Sequence, residues 1–254
     1  KKIRKYLVES KICSTFAPSF QNHVGMKNFF GCFLVFAALL TGCADKQSVL
    51  QEVAPFHYVT VNGRSTKTNL ALVQTPGTWQ IGITSRHADS LTYFVCNDTL
   101  HLYMPADVRY HYDITLCAPE FRSVEACLLN TLYTPDTLLQ DTMMVQATLV
   151  NTMRLNVHVA QLRTIHRCNK NAYLAGTADI AYLGNAFADV DLDASCLKTK
   201  DLHLCMGEGK VKVDVSDHFW IHDSFQSKST YVGSPVIEEC NLRWSILSNA
   251  FFFQ

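Results

Sequence analysis

The chain has 254 residues, and its 22 Lys and Arg residues balance its 22 Asp and Glu residues, so its formal net charge is zero. This balance excludes a strongly basic nucleic-acid-binding protein and an acidic disordered tail. Hydrophobic residues make up 48% of the chain and charged residues 17%, a composition typical of a globular protein with one large or two ordinary domains.

The N-terminal segment predicts an export signal. Met26 and Lys27 precede an apolar run of twelve residues, Phe29 to Leu40, which predicts a signal peptide over residues 26–42. The run is too short to span a bilayer as a helix. We interpret residues 1–25 as a non-native upstream extension; an unusually long basic region of the signal peptide is the alternative.

The sequence Leu40-Thr41-Gly42-Cys43 ends the apolar run and resembles the lipobox of bacterial lipoproteins. The resemblance implies cleavage between Gly42 and Cys43 and lipidation of Cys43, including palmitate, because its thiol is a soft nucleophile. Two or three acyl chains hold such a protein firmly to a membrane. Ala44, where Asp would imply inner-membrane retention, implies the outer membrane, with a periplasmic or a surface-exposed orientation.

The rest of the chain alternates hydrophobic and polar residues with a period of two. After a tether over residues 43–55, the alternation is clearest in Arg109–Leu116, Met153–Val159, Val211–Val215 and Leu242–Ile246. This period predicts strands with one face in a core. Shorter strands are predicted at Phe56–Val61, Asn69–Gln74, Thr78–Thr84, Leu91–Cys96, Thr99–Tyr103, Met143–Leu149, Ala172–Leu183 and Tyr231–Glu239.

Turn residues separate these strands. Asn62-Gly63 and Pro76-Gly77 predict turns, and Asn97-Asp98 predicts a tight hairpin. We therefore expect an all-β fold, an antiparallel β-sandwich of the transthyretin-like or Ig-like kind. A first sandwich domain would cover residues 56–142 and a second 143–254; one continuous sandwich is the alternative.

The middle of the chain carries helix-start signals. Ser123 precedes a possible short helix over Ser123–Thr131, and Thr134-Pro135-Asp136 has the order of an N-cap, a first-turn proline and an early acid. We expect a few short helices here.

A second, weaker resemblance concerns the domain pattern. A lipobox followed by two β-sandwich domains is similar to the anchor and accessory lipoproteins of fimbrillin-type pili in Gram-negative anaerobes. Met153–Ala160 followed by Tyr173-Leu174-Ala175-Gly176-Thr177-Ala178 resembles the opening of their second domain. The resemblance implies a structural, adhesive or fimbrial assembly subunit that can accept a donated strand.

Acidic residues at alternate positions suggest a calcium loop at first sight. Asp189, Asp191 and Asp193 have the spacing of the first half of an EF-hand loop. However, Ala194 and Lys200 stand where the loop needs a glycine and a bidentate acid. We favour the solvated face of a strand.

Two histidines four residues apart are the other candidate metal ligands. His218 and His222 flank Trp220, but the Glu of a His-Glu-x-x-His motif is absent. We favour a strand surface; a metal-dependent hydrolase that uses these histidines and an aspartate is a distant alternative. The chain also lacks Gly-x-Ser-x-Gly and phosphate-loop motifs, so we expect no enzyme activity, no metal and no cofactor.

Seven cysteines follow Cys43. Cys117/Cys127 and Cys196/Cys205 are close enough in sequence for disulfides, although buried thiols are favoured. Residues 1–42 contain six of the basic residues and one acid, so the exported part has 16 basic and 21 acidic residues.

The sequence thus predicts a lipid-anchored outer-membrane protein with a structural, adhesive or fimbrial assembly role, in contact with the membrane through Cys43 and with other envelope subunits. Nucleic acid is not an expected partner. The rival hypothesis is a carbohydrate-binding lipoprotein. Its sugar platform would come from exposed aromatic residues among Trp79, Tyr110, Tyr112, Trp220 and Trp244.

Overall fold

The structure, a computed structural model, describes residues 47–63, 67–105, 110–167, 170–222 and 228–240. Within these ranges no helix has the length and apolar character needed to cross a membrane, and Ala88–Ser90 forms a single 3-10 turn. The strands are β1 Gln47–Glu52, β2 Tyr58–Asn62, β3 Thr68–Gln74, β4 Gln80–Ser85, β5 Thr92–Cys96, β6 Thr99–Tyr103, β7 Tyr112–Ala118, β8 Ser123–Cys127, β9 Thr131–Tyr133, β10 Leu138–Thr148, β11 Thr152–Arg167, β12 Asn171–His222, β13 Lys228–Val232 and β14 Val236–Cys240.

The strands belong to one sheet that coils upon itself as a β-solenoid. Leu138 of β10 pairs with Val157 of β11, and Thr152 of β11 pairs with Asn171 of β12, in parallel and 19 residues apart in both cases. Each further turn of the chain is therefore laid beside the preceding one. Parallel neighbours at this separation leave no room for a sandwich built from hairpins.

The extended run of β12 has 52 residues and cannot be a straight strand, which would be about 170 Å long at about 3.3 Å per residue. Contacts between its own residues show that it coils. Lys200 forms an ion pair with Asp179 at 2.7 Å, and His203 lies 3.0 Å from His222. The run thus supplies successive turns of the solenoid.

The core fills the inside of the coil. Side chains at matching register positions form columns, one of which contains Val59, Val124, Val145, Thr164 and Leu183. All five are buried. Because successive strands stack in register, alternate residues of each strand point into one continuous apolar cluster.

Corners of the coil appear as changes in the inward-facing parity. In β11 the buried residues Met153, Leu155, Val157 and Val159 are odd-numbered, whereas Leu162 and Thr164 continue the buried set at even positions. An extra residue between the two sets turns the chain without breaking the parallel ladder.

The N-terminal part adds antiparallel strands. β4 pairs with β1 and β7, and β5 and β6 form a hairpin in which Cys96 pairs with Thr99. Asn97 and Asp98 have positive φ values of 49° and 62°, as a two-residue hairpin turn requires. The predicted hairpin is therefore confirmed.

The expectation of antiparallel β-sandwich domains is wrong, although the chain is almost entirely β. Strands of a solenoid have the same period of two as strands of a sandwich, so alternation did not reveal their partners. The predicted short helices are also wrong: β8 lies where the helix Ser123–Thr131 was expected, and β10 begins at Leu138. The boundary expected between residues 142 and 143 falls within β10, which pairs with both β8 and β11.

Candidate functional site

One outward sheet surface, formed by β5, β6, β2, β8 and β10, carries exposed polar and aromatic side chains. We call it the outer face. Its central row runs across the five strands through Phe94, His101, Thr60, Glu125 and Gln146, each paired in register with the next. The alternate residues of these strands, such as Leu100 and Val59, are buried. The period of two therefore points the row toward solvent.

At one end of the outer face lies an aromatic group made of Phe94, His101 and Tyr103. The Phe94 ring centroid is 5.1 Å from that of His101 and 5.9 Å from that of Tyr103. Phe94 is 47% exposed and Tyr103 41%. Tyr58, in the flanking row, is 39% exposed. Aromatic side chains left in water together on a rigid surface are typical of binding sites.

Beside the aromatic group, the outer face has a shallow polar depression of ≈ 200 Å³. Its polar lining comes from neighbouring strands: Thr60 and Asn62 of β2, Glu125 and Cys127 of β8, Gln146 and Thr148 of β10. Burial raises the pKa of the Cys127 thiol, which keeps it protonated and a poor nucleophile. The depression therefore offers hydroxyl, amide and carboxylate groups for hydrogen bonding.

The titratable groups of the outer face are too far apart to work as an acid–base pair. His101 and Glu125 are separated by the strand that carries Thr60, which places them two strand spacings, about 9.6 Å, apart. A nucleophile and its base need hydrogen-bond contact. The arrangement suits recognition rather than covalent chemistry.

A second aromatic cluster lies on successive turns formed by β11 and β12. The His203 ring is stacked between Tyr182 at 4.6 Å and Trp220 at 4.4 Å, with interplanar angles of 9° and 8°. The Arg163 guanidinium lies 5.1 Å from the Tyr182 centroid, and the Trp220 indole donates to Glu238. The ring faces contact one another, so this cluster is a stabilising stack.

His203 and His222 form a hydrogen-bonded pair. His203 Nδ1 lies 3.0 Å from His222 Nε2, and the ring centroids are 5.3 Å apart at 8°. These values place the rings almost in one plane with the two nitrogens facing each other, an arrangement that accommodates one N–H between them. Burial and the neighbouring His222 lower the pKa of His203 to about 4.

The two predicted metal-site histidines have separate contacts on β12. His218 lies 3.0 Å from Asp201, whereas His222 contacts His203. Asp191 and Asp193 point outward while Val190 and Leu192 are buried, which confirms the strand interpretation of the acidic run. In the part of the chain that the structure describes, no group of three or more His, Cys, Asp or Glu side chains has the arrangement of a metal site.

The other predicted site residues are dispersed. Gly42, Cys43 and Trp244 lie outside the described residues. Tyr112 is 1% exposed, and Trp79 packs against the core with its indole donating to the Phe56 carbonyl.

The outer-face aromatics were missed because alternation alone does not show which of two strand faces is outward. Cys127 carries a free thiol, so the considered Cys117–Cys127 disulfide is not formed.

Comparison with known proteins gives fold relatives only. No protein-family model and no curated protein matches the sequence. A "putative adhesin" of Bacteroides fragilis is 14% identical, with a TM-score of 0.58 over 78% of this chain and 98% of that one. A "putative lipid binding protein" of Parabacteroides distasonis has a TM-score of 0.53 and a "putative adhesin" of Parabacteroides merdae 0.50, each 14% identical over 79% of this chain and 98% of the other. At this identity the likeness shows a shared fold.

Proposed function

We propose that this protein is a lipid-anchored adhesive component of the outer membrane, held by acyl chains on Cys43, with no catalytic role. The outer face is the observation that carries the proposal. It combines exposed aromatic rings with a polar depression on a rigid parallel sheet. A surface of this kind binds a partner at little conformational cost, because its side chains are already fixed by the strand register.

Two further observations support the proposal. The Leu40–Cys43 motif has the residue types of a lipobox at the end of an export signal, and an acylated cysteine would keep the solenoid on a membrane. The similar folds include two proteins described as adhesins. Strand donation, which completes an open sandwich, is not part of the proposal because the sandwich expectation is wrong.

The anchor is tested by producing the full chain in a Gram-negative host grown with an alkyne-bearing palmitate. We expect label on the wild type and on Cys96→Ser, a control that alters an exposed free thiol, but not on Cys43→Ser. Undiminished labelling of Cys43→Ser would remove the anchor from the account.

The adhesive role is tested with the same cells. Cells that display the wild type should attach under flow to at least one surface in a panel of mucin, collagen, fibronectin and plastic, and Cys43→Ser cells should attach no better than empty cells. Equal attachment of wild-type and empty cells to every surface would refute adhesion.

A further inference from the structure

We infer that the outer face is a saccharide-binding site for a neutral sugar ring, with the aromatic group as its stacking surface and the polar depression as its hydrogen-bonding surface. This inference rests on the proposed adhesive function and names the ligand class of that function. The juxtaposition that carries it is the row in which Phe94 and His101 run directly into Thr60, Glu125 and Gln146 across five strands.

The exposed aromatics are concentrated at this place. Among the described residues, the large aromatic side chains that remain exposed are Tyr58, Phe94, Tyr103 and Tyr173, and the first three belong to the outer face. Leaving a ring such as Phe94 in water forgoes about 1.5–3 kcal/mol of burial energy. A sugar presents C–H groups on the flat side of its ring, and these pack on an aromatic surface.

The polar groups have the chemistry that sugar hydroxyls need. Gln146 and Asn62 supply amides that both donate and accept, Glu125 supplies a carboxylate that accepts, and Thr60 and Thr148 supply hydroxyls. Neighbouring rows are about 4.8 Å apart across the strands. One sugar ring can therefore contact groups from two strands while its hydroxyls are satisfied on both sides.

Charge selects a neutral sugar. Glu125 is the only formally charged side chain among those that line the depression, and no Lys or Arg lines it. A uronic or sialic acid would place its carboxylate against that of Glu125 without a compensating cation. Like charges at such a distance disfavour binding.

The second aromatic cluster provides an internal comparison. His203 contacts Tyr182 on one side and Trp220 on the other, so its faces are already occupied by rings. A sugar would find edges rather than faces there. The outer face, where Phe94 is 47% exposed, keeps aromatic surface available for stacking.

The test uses the full lipidated chain in detergent on an array that carries neutral hexose and N-acetylhexosamine glycans together with their uronic-acid and sialylated counterparts. We expect binding to at least one neutral glycan, with affinity reduced at least about tenfold in Phe94→Ala/Tyr103→Ala, the effect of losing buried aromatic contacts. Tyr173→Ala, which removes an aromatic residue with 43% exposure elsewhere, should bind within about twofold of wild type. Far-UV circular dichroism confirms that each variant is folded.

Glu125→Gln separates charge selection from stacking. This variant should narrow the preference for a neutral glycan over its uronic-acid counterpart. Binding of acidic glycans alone by the wild type would overturn the neutral-ligand inference. No retention of any glycan, while displaying cells still attach to protein-coated surfaces, would overturn saccharide binding and leave the adhesive function standing with a protein ligand. Failure of attachment to every surface would remove the proposed function itself.

Discussion

Gly176 lies where two turns of the solenoid approach most closely, and its replacement tests the stacking of the coil. Gly176 has a φ of 104°, and a Cβ added there would lie 2.9 Å from the carbonyl carbon of Val157 and closer still to its oxygen. The backbone strain alone costs about 1–3 kcal/mol. Because the obstacle is the backbone of β11, the ladder between β11 and β12 must also open locally, at about 1 kcal/mol for each hydrogen bond.

Gly176→Ala should therefore lower the free energy of unfolding by about 3–5 kcal/mol, a large part of the stability of a typical domain. Two matched controls separate the causes. Gly77 has a φ of 66° with nothing within 4 Å of an added Cβ, and Gly207 has open space without a positive φ. Gly77→Ala should cost about 1–2 kcal/mol and Gly207→Ala close to nothing.

Urea unfolding followed by far-UV circular dichroism measures these differences as shifts in the midpoint. The order Gly176→Ala, then Gly77→Ala, then Gly207→Ala is the expected order of destabilisation. If Gly176→Ala and Gly77→Ala were equally stable, the close contact between β11 and β12 would be absent and the solenoid register would be refuted.

Two other predictions concern buried polar groups. His166 is fully buried, and desolvation lowers its pKa to about 4 from 6.5; its contribution to stability is therefore complete above pH 6.5 and is lost as the pH falls toward 4, by about 3 kcal/mol. Urea titrations at several pH values should show a smaller acid loss in His166→Leu than in wild type, and parallel pH profiles would contradict this assignment. Asn130 Nδ2 donates to Asn69 Oδ1 at 2.9 Å, so Asn69→Ala and Asn130→Ala should each cost about 1–2 kcal/mol and the double variant less than their sum. Strict additivity would show that the two amides are not coupled.

The positions of many strands could be predicted from the sequence. The alternation in Met153–Val159 lies within β11, and the hairpin at Asn97-Asp98 is present, because side-chain period and turn chemistry are local properties. The pairing of strands is not local. Each solenoid strand pairs with a strand about 20 residues away, and a period of two is the same for either arrangement.

A repeat in the sequence was the missed signal for the solenoid. Asn130-Thr131-Leu132, Asn151-Thr152-Met153 and Asn171-Ala172-Tyr173 recur at intervals of 21 and 20 residues, and each begins a strand of the same column. Self-similarity at this period is characteristic of stacked repeats. The capping signals at Ser123 and Pro135 predicted helices, but pairing of β8 with β2 and β10 overrides such local preferences.

The candidate site depended on information that a single strand does not contain. Phe94 and His101 were assigned to the correct hairpin, but their direction was fixed only when Leu100 and Leu102 were seen to fill the coil. The aromatics chosen from the sequence included Tyr112, which is buried, and Trp220, which is stacked. Exposure of a ring depends on its neighbours across strands, and these neighbours are distant in sequence.

The most direct test of the central claim is attachment under flow of cells that display the full chain, on a surface coated with the neutral glycan selected by the array. Wild-type and Tyr173→Ala cells should remain attached, whereas Phe94→Ala/Tyr103→Ala cells, displayed in equal amount, should detach as readily as empty cells. Attachment of the double variant equal to that of the wild type would contradict the assignment of adhesion to the outer face.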